Sequence, residues 1–491
     1  MFEALADDIS LPQDFIRQLD IDSAMAAEAL PFALCDNKLE VAVVDPYNLR
    51  LYELWREYDI SLHLCRSPQL DILRAQLQAE KVAEQHQSYD TTDELARLRE
   101  LAFGAPTVNL VNTLIVRGIK LRASDMHLEP ISGRYRVRYR VDGMLQTSDT
   151  IPLDLQLGVV SRIKILAGMD IAERRKPQDG KIETSVAGKE LDIRVSALPL
   201  GEGESIVMRF LLKESVSFEL SAIGYEPDLI KHVQRDLART TGVILMTGPT
   251  GSGKTTSLYS FLSKVNTQAV KIITLEDPIE YQLAGINQVQ VNSDIGFDFA
   301  RGLRSIVRQD PDIIMVGEIR DQETARIAMQ SSLTGHLVLS TVHTNDAPTT
   351  FTRLIDLGVE EFLLNASVIS VMAQRLVRTL CPHCRVPDEE FIGLAQNTEL
   401  QTLATRYELE PQIMTAKGCD KCGGTGFLGR MAILEYLPND TFIQALPKDQ
   451  QFLLQARNYM QERGYRSLRE DGLLKVIKGL TTYDEVMRVA G

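Results

Sequence analysis

The residues best suited to chemistry form a glycine-rich loop that ends in a lysine and a threonine. Residues 248–255 read Gly-Pro-Thr-Gly-Ser-Gly-Lys-Thr, which fits the phosphate-binding pattern G-x-x-x-x-G-K-[ST]. Glycines let successive backbone N–H groups point at one anion, and a helix that begins after the loop adds the positive end of its dipole. The pattern predicts an ATP phosphate site formed by Gly248, Pro249, Thr250, Gly251, Ser252, Gly253, Lys254, Thr255 and Thr256.

Two residues at the end of this loop have distinct expected roles. We expect Lys254 to reach the terminal phosphates and Thr255 to hold Mg²⁺ through its hydroxyl group. The alternative is a chance match in a glycine-containing turn, at a frequency on the order of one per cent. The context favours the loop, because residues 242–247 read as a buried strand and residues 255–262 as the helix that follows.

Acidic residues and histidines stand at the ends of three further apolar runs. Glu276 follows the run 271–275, Glu318 follows the run 312–316, and His343 ends a run that begins at His336. Hydrolysis of a bound triphosphate needs carboxylates that hold Mg²⁺ and orient water at the ends of neighbouring strands. Each residue taken singly reads as a strand-end cap or a solvated side chain, but several such strands in one sheet favour a catalytic role.

Four cysteines form two C-x-x-C pairs, Cys381 with Cys384 and Cys419 with Cys422. Two such turns are typical of a tetrahedral Cys₄ zinc site, which would stabilise a projecting subdomain and take no part in catalysis. A redox role is the weaker reading, because no thioredoxin-like unit surrounds the pairs. His383, inside the first turn, is an alternative ligand for one thiol.

The composition describes an ordinary globular protein with several domains. The 491 residues exceed what one core holds, 44% of them are hydrophobic and 24% are charged. A net charge of −14 argues against tight sequence-independent binding to DNA or RNA. No apolar run has the length of a membrane span and the N-terminus lacks the basic start of a signal peptide, so we expect a cytoplasmic protein. Isolated Cys35 and Cys65 read as small buried apolar residues.

Before the glycine loop, the pattern predicts two smaller modules. In the first, strands at 29–35, 38–44 and 60–65 alternate with helices near 49–58 and from 70, and a polar linker follows at 83–93. In the second, a helix starts at Pro106, and alternating Arg134–Arg140 leads into an Asp142-Gly143 hairpin turn. The arginines of that strand read as a solvated face in preference to a nucleic-acid surface. Further strands are predicted at 188–195 and 204–211.

The region from Gly224 reads as a largely parallel α/β domain, with strands at 243–247, 271–275, 313–316 and 337–341. Its motifs are specific enough to suggest a family. The segments 274–281, 308–321 and 334–345 resemble the Asp box, Walker B element and His box of the secretion ATPases, which power type II secretion and type IV pilus assembly. The segment 123–130, Ala-Ser-Asp-Met-His-Leu-Glu-Pro, resembles the signature of that family's second domain.

The resemblance implies a RecA-like P-loop ATPase that works as a homohexamer and binds nucleotide between its second domain and its motor domain. It implies that Glu276 and Glu318 share Mg²⁺ coordination and water activation, with the identity of the base left open. Arg194 and Arg209 match second-domain arginines that reach the γ-phosphate, and His343 is a candidate sensor of that phosphate. The motor-domain arginines are either further donors or members of structural ion pairs; they are Arg304, Arg308 and Arg320.

The expected layout has six parts. They are a partner-docking module (1–80), a linker and leading helix (81–105), a PAS-like α+β second domain (106–222), a RecA-like motor (223–380), a Cys₄ zinc subdomain (381–436) and a helical C-terminal part (437–491). The family's use of the first module implies docking to the cytoplasmic part of an inner-membrane component, next to a platform protein, and so a peripheral position at the inner membrane.

Three functions compete on the sequence. The first is a motor for protein export by type II secretion, and the second is a pilus-assembly or DNA-uptake motor with the same site. The short N-terminal module, in which no cyclic-dinucleotide-binding repeat is obvious, favours the first. The third is a nucleic-acid translocase, which the acidic charge and an aromatic content of 6% oppose.

Overall fold

The structure, a computed structural model, describes residues 3–4, 29–35, 38–46, 55–56, 58–65, 70, 93–131, 134–186, 189–212, 219–389 and 398–491. Three predicted segments lie mostly outside these residues: the helix near 49–58, the helix from 70, and the linker 83–93, of which only the last residue is described. Two compact units, Met1–Ser215 and Val216–Gly491, divide the chain. No helix among the described residues is both long enough and apolar enough to cross a membrane.

The first unit begins with a four-stranded sheet of order β1-β4-β3-β2. Its strands are β1 (Glu3–Ala4), β2 (Ala29–Cys35), β3 (Lys38–Val43) and β4 (Asp59–Leu64). The three predicted strands are confirmed, and apolar side chains from each of them pack in one cluster with Trp55.

The second sheet of this unit has six antiparallel strands of order β7-β6-β5-β10-β9-β8. They are β5 (Ala123–Ile131), β6 (Arg134–Val141), β7 (Met144–Ile151), β8 (Gln178–Val186), β9 (Lys189–Leu200) and β10 (Gly203–Leu212). Asp142 and Gly143 both have positive φ, which a two-residue type I′ hairpin turn requires.

Three helices belong to this second domain: α1 (Asp93–Phe103), α2 (Ala105–Lys120) and α3 (Leu153–Leu166). Apolar side chains of α2 and α3 pack on one face of the six-stranded sheet, among them Val111 and Ile163. The arginines of β6 lie on the opposite, open face, as predicted, because its tyrosine and valine side chains occupy the core.

The second unit is built on a seven-stranded sheet of order β13-β12-β14-β15-β11-β16-β19. The strands are β11 (Gly242–Thr247), β12 (Ile272–Glu276), β13 (Asn287–Gln290), β14 (Ile313–Val316), β15 (Leu337–Val342), β16 (Val368–Leu380) and β19 (Phe427–Pro438). All neighbours are parallel except β16 and β19, which run antiparallel. The four predicted strands are confirmed as the buried centre of a mixed α/β sheet.

Helices cover both faces of this sheet, as a sheet buried on two sides needs. They are α4 (Pro227–Leu237), α5 (Lys254–Val265), α6 (Phe299–Ile306), α7 (Gln322–Leu333), α8 (Ala347–Asp356) and α9 (Glu361–Ser367). Parallel strands place all their carboxyl ends at one edge, so the loops after β11, β12, β14 and β15 share that edge.

The remaining elements follow β16. A two-stranded sheet pairs β17 (Arg385–Pro387) with β18 (Met414–Ala416), and α10 covers Thr398–Arg406. The C-terminal helices are α11 (Thr441–Ala445), α12 (Phe452–Arg463), α13 (Leu468–Ile477) and α14 (Tyr483–Ala490). Although most of β19 lies within the range 381–436 expected for the zinc subdomain, it returns to the motor sheet, where its apolar residues are buried against β16.

Candidate active site and metal centre

The glycine loop connects the end of β11 to the start of α5. Gly248 has φ +150°, and a Cβ atom there would lie 2.5 Å from the carbonyl oxygen of Gln374. Gly253 has φ +84° and is the N-cap of α5. Side chains at these two positions would clash or strain the backbone, so the loop needs glycine to bring its N–H groups to the helix N-terminus.

The buried side chain of Lys254 folds back along this loop. Its Nζ donates to the carbonyl oxygens of Gly248 at 2.7 Å and Pro249 at 3.1 Å. Burial lowers the pKa of Lys254 to about 8, while the negative charge of Glu318 acts in the opposite direction. A cation is thus held inside the loop, within electrostatic reach of an acid on another strand.

The loop fits the polyphosphate and metal that its sequence implies. The hydroxyl of Ser252 is buried, and the described residues offer it no hydrogen-bond partner, which leaves it to a ligand oxygen. Thr255 and Thr250 are exposed at the loop surface, and Thr256 is half-buried. A hydroxyl at the start of the helix is the ligand that Mg²⁺ takes in this type of loop.

Glu318 lies at the same sheet edge, directly after β14 and Gly317. Its Oε2 is 3.6 Å from Nε2 of His343, which follows the neighbouring strand β15, and its Oε1 is 2.5 Å from Nη2 of Arg320. Burial lowers the pKa of His343, and the charge of Lys254 adds to this effect. Lys254, Glu318, His343 and Arg320 therefore form one charged cluster around the loop.

Glu276 also ends a strand of this edge, but its carboxylate is already bound by three donors. Oε1 accepts from the hydroxyl of Thr274 at 2.6 Å and from the amide of Gln288 at 3.0 Å, while Oε2 accepts from the hydroxyl of Tyr259. Its side chain is buried. Glu276 and Glu318 thus share an edge, and Glu318 is the one with a more open environment.

The structure separates the three motor-domain arginines. Arg304 forms an ion pair with Glu323, and Arg308 donates to the carbonyl oxygen of Arg304 at 2.7 Å. Only Arg320 contacts Glu318 among the three. The contacts of Arg304 and Arg308 within the described residues agree with the structural alternative.

Gln374 on β16 forms hydrogen bonds to the glycine loop, and it is not part of any motif identified in the sequence. Its Nε2 donates to the carbonyl oxygen of Ser252 at 2.8 Å, and its Oε1 accepts from Ser257 at 2.7 Å and from Tyr225 at 3.3 Å. The sequence feature that could have identified Gln374 is a glutamine inside an apolar strand, because a buried amide group needs hydrogen-bond partners.

Its neighbour Arg375 links the glycine loop to the segment that carries His343. Its Nη2 donates to the carbonyl oxygen of Asn345 at 2.9 Å, and its Nη1 would lie 3.2 Å from a Cβ at Gly248. The hydroxyl of Thr247 adds a second link, since it accepts from the backbone N–H of Thr344 at 2.8 Å. The segment after β15 is therefore tied by hydrogen bonds to Arg375 of β16 and to the end of β11, from which the loop begins.

Arg194 and Arg209 lie in the other unit, on adjacent strands β9 and β10. The antiparallel register sets them directly opposite each other. Side chains in such a pair have Cβ atoms about 5 Å apart, so the two guanidinium groups repel each other, and the carboxylate of Asp125, which accepts from Nε of Arg209 at 3.0 Å, offsets part of this repulsion. This arrangement suits a site that receives phosphate oxygens.

The four cysteine sulfur atoms converge in one cluster, as the spacing predicts. All four lie within 4.8 Å of one another, and three of the separations are 3.8–3.9 Å. Zn–S bonds of about 2.3 Å in a tetrahedron give S–S edges of about 3.8 Å. The backbone N–H of Gly426 donates to Cys422 Sγ at 3.1 Å, which suits a thiolate. His383 is exposed and outside this cluster, so the four cysteines could hold a metal ion by themselves.

We expect one zinc ion per chain and its loss in the Cys419→Ser variant. A hydroxyl is a poor zinc ligand, so the remaining three thiolates should bind metal weakly and the two turns should lose their order. Metal analysis by mass spectrometry after dialysis measures the stoichiometry. Cys65→Ser is the matched control, since Cys65 is buried outside the cluster. Stoichiometric metal in the Cys419→Ser protein would contradict a Cys₄ site.

The chain is similar to proteins of two related machines. Residues 100–488 match the family model of the type II/IV secretion system protein, and residues 4–84 match the model of the MshEN domain. Type II secretion system protein E of Xanthomonas campestris is 48% identical over 81% of this chain and 70% of its own. The type IV pilus assembly ATPase PilB of Myxococcus xanthus is 44% identical over the same shares.

A solved structure agrees with these sequence relatives. The crystal structure of the pilus retraction motor PilT with bound ADP is similar to this chain with a TM-score of 0.51 and 26% identity. The match covers 76% of this chain and 95% of that one.

Proposed function

The chain belongs to the family of type II/IV secretion system proteins, and we propose that it drives pseudopilus assembly and protein export in a type II secretion system. It is an ATPase, which converts ATP and water to ADP and phosphate. The observation that carries the proposal is the glycine loop with Glu318 at the same sheet edge, close enough for its charge to act on Lys254. The similarity to type II secretion system protein E supports the secretion system as the machine in which this ATPase works.

The residues around the glycine loop have distinct proposed roles. Lys254, Ser252 and the loop N–H groups bind the phosphates, and Thr255 and Glu318 would hold Mg²⁺, which neutralises charge on the transferring phosphoryl group when bound. Glu318 is the favoured general base, because its carboxylate is less fully hydrogen-bonded than that of Glu276. We assign Glu276 to holding the strand edge beside the metal site.

His343 and the second-domain arginines complete the proposed site. A neutral His343 beside Glu318 is suited to sense the γ-phosphate, since the lowered pKa leaves its ring able to donate or accept a hydrogen bond. Arg194 and Arg209 stabilise the charge on the transferring group, as guanidinium groups do in phosphoryl transfer. Donors carried by a separate domain would couple hydrolysis to domain movement.

We propose the following organisation for the working motor. The range 223–380 forms a RecA-like core, the range 106–222 is the PAS-like domain, and the four cysteines bind a structural zinc ion. Six chains form a ring. Residues 1–80 dock to the cytoplasmic part of an inner-membrane component and place the motor beside the platform protein, so the chain is cytoplasmic and peripheral at the inner membrane. Nucleic acid is not a partner.

A pilus-assembly motor is the second candidate, and the 44% identity to PilB is the finding that favours it. Both machines need the same ATPase site, so the active-site residues cannot separate them. The difference lies in the membrane components with which the N-terminal module assembles. A test in the cell distinguishes the two.

Removal of this chain from its source cell should stop export of secreted proteins and leave surface pili unchanged. Export is measured as the extracellular fraction of a secreted enzyme, and pili are counted by electron microscopy. Wild-type chain supplied in trans should restore export. Loss of pili with normal export would replace the proposal by the pilus motor, and ATP turnover stimulated by single-stranded DNA in a salt-sensitive way would favour a translocase.

A further inference from the structure

Five charged side chains form one row across the open face of the second-domain sheet. The strand register sets Arg140 of β6 opposite Asp125 of β5, Asp125 opposite Arg209 of β10, Arg209 opposite Arg194 of β9, and Arg194 opposite Lys181 of β8. Because the backbone register fixes this order, the neighbours in the row do not depend on side-chain rotamers. Asp125 is the single acid among four cations in the row.

Asp125 is anchored firmly at the centre of this row. Its side chain is 10% exposed, and its Oδ2 accepts from the hydroxyl of Ser124 at 2.8 Å and lies 3.7 Å from Nε of Arg140. Its Oδ1 accepts from Nε of Arg209 at 3.0 Å. Both carboxylate oxygens are therefore engaged, each by a donor on a fixed strand.

The contact between Asp125 and Arg209 uses Nε and leaves the two terminal nitrogens of the guanidinium group available. A guanidinium group has five N–H donors, one on Nε and four on the terminal nitrogens. Asp125 takes the Nε–H, and the Arg209 side chain is 57% exposed. The terminal nitrogens can then bind two oxygens of one phosphate in the bidentate manner that suits this group.

We propose that Asp125 is a positioning residue that holds Arg209 in the orientation needed to receive the γ-phosphate. This inference rests on the proposed role of Arg209. An exposed arginine samples many rotamers, and fixing its Nε before the reaction removes part of the entropy cost of placing the charge. The carboxylate also offsets the repulsion between Arg209 and Arg194, which keeps both cations at one place on the sheet.

The test is a double-mutant cycle on the full chain, with kcat and KM for ATP measured at steady state. Arg209→Gln should lower kcat on the order of 10²-fold and change KM much less, since the charge matters most in the transition state. Asp125→Asn should lower kcat about tenfold in the wild-type background, because asparagine lacks the negative charge and has one accepting oxygen in place of the two that Ser124 and Arg209 use. In the Arg209→Gln background it should change kcat less than about twofold.

A matched control, Glu129, lies four residues further along the same strand, on the same face. Glu129 holds Arg136 and Arg138 by ion pairs of 2.9 and 2.5 Å on the same face. Glu129→Gln therefore removes a comparable acid without touching Arg209, and it should leave kcat within about twofold. Asp125→Glu keeps the charge but displaces it, and it serves in the cycle if Asp125→Asn does not fold.

The outcomes separate the two claims. Near-normal kcat in Arg209→Gln would remove the proposed role of Arg209 and the positioning role with it. A low kcat in Arg209→Gln together with an undiminished effect of Asp125→Asn in that background would overturn the positioning role alone. A loss of kcat in Glu129→Gln equal to that in Asp125→Asn would show a general effect of the sheet and also overturn it.

Discussion

Replacing Lys254 by alanine is expected to lower ATP turnover on the order of 10³-fold, to the detection limit of a coupled phosphate-release assay. Lys254 is the cation inside the glycine loop, and its Nζ is held by the carbonyl oxygens of Gly248 and Pro249. These bonds place its charge where the terminal phosphates must lie. Alanine leaves the loop glycines in place and removes this charge together with its two hydrogen bonds to the loop, so kcat should fall while the fold persists.

The stability of this variant gives a second readout with a definite sign. Burial lowers the pKa of Lys254 from 10.5 to about 8, so the folded state disfavours the charged form. That penalty is complete below pH about 8 and disappears as the pH rises through the unfolded value. The Lys254→Ala protein should therefore melt at the same temperature as wild type or higher at pH 7.

Lys264→Ala is the matched control for this variant. Lys264 lies in the last turn of the same helix, exposed to solvent, so its loss should leave turnover within about twofold. A Lys254→Ala protein with near-normal kcat would remove the assignment of the glycine loop. A variant that melts well below wild type would indicate instead that the lysine is needed for the loop to form.

Replacing Glu318 by glutamine is expected to lower kcat by about 10²–10⁴-fold while ATP binding is retained. Glutamine has nearly the same shape but can neither accept the proton of an attacking water nor neutralise the charges around it. Glu318 lies 3.6 Å from His343 and 2.5 Å from Arg320, so its loss leaves two nitrogen groups without their acid. Binding is measured by fluorescence of a labelled nucleotide, and kcat by phosphate release.

The comparison with Glu276→Gln decides which acid is the base. The Glu276 carboxylate accepts from Tyr259, Thr274 and Gln288, and an amide in its place must break at least one of these bonds. Because Glu276 is buried, we expect a loss of about 1–3 kcal/mol in the free energy of unfolding and a smaller loss of kcat than in Glu318→Gln. A Glu276→Gln protein of wild-type stability with the lower kcat of the two would transfer the role of base to Glu276.

Much of the motor sheet could be predicted because its signals are local. A run such as 313–316 is apolar throughout, and an acid at its end marks the carboxyl edge of a buried parallel strand. The glycine loop carries its own geometry, since only glycine tolerates the backbone at Gly248 and Gly253. The two C-x-x-C turns likewise each bring together two sulfur atoms from residues three positions apart in the chain.

The support of the loop could not be predicted in the same way. Gln374 is far from Ser252 along the chain, and they meet only because β16 lies beside β11 in the sheet. The sequence of the segment 368–380 does not specify which strand it will pair with. The same reason hides the contact of Asp125 with Arg209, which depends on the pairing of β5 with β10.

The sequence alone determined the glycine loop, the two C-x-x-C turns and the strands that end in acids, because each depends on residues close together in the chain. Only the tertiary structure decided how those parts are used. It placed Glu318 beside His343, engaged Glu276 with the hydroxyl of Tyr259, and set Arg209 against Asp125. Strand order and register bring distant residues within hydrogen-bond distance, and hydrophobic periodicity does not encode which strands become neighbours.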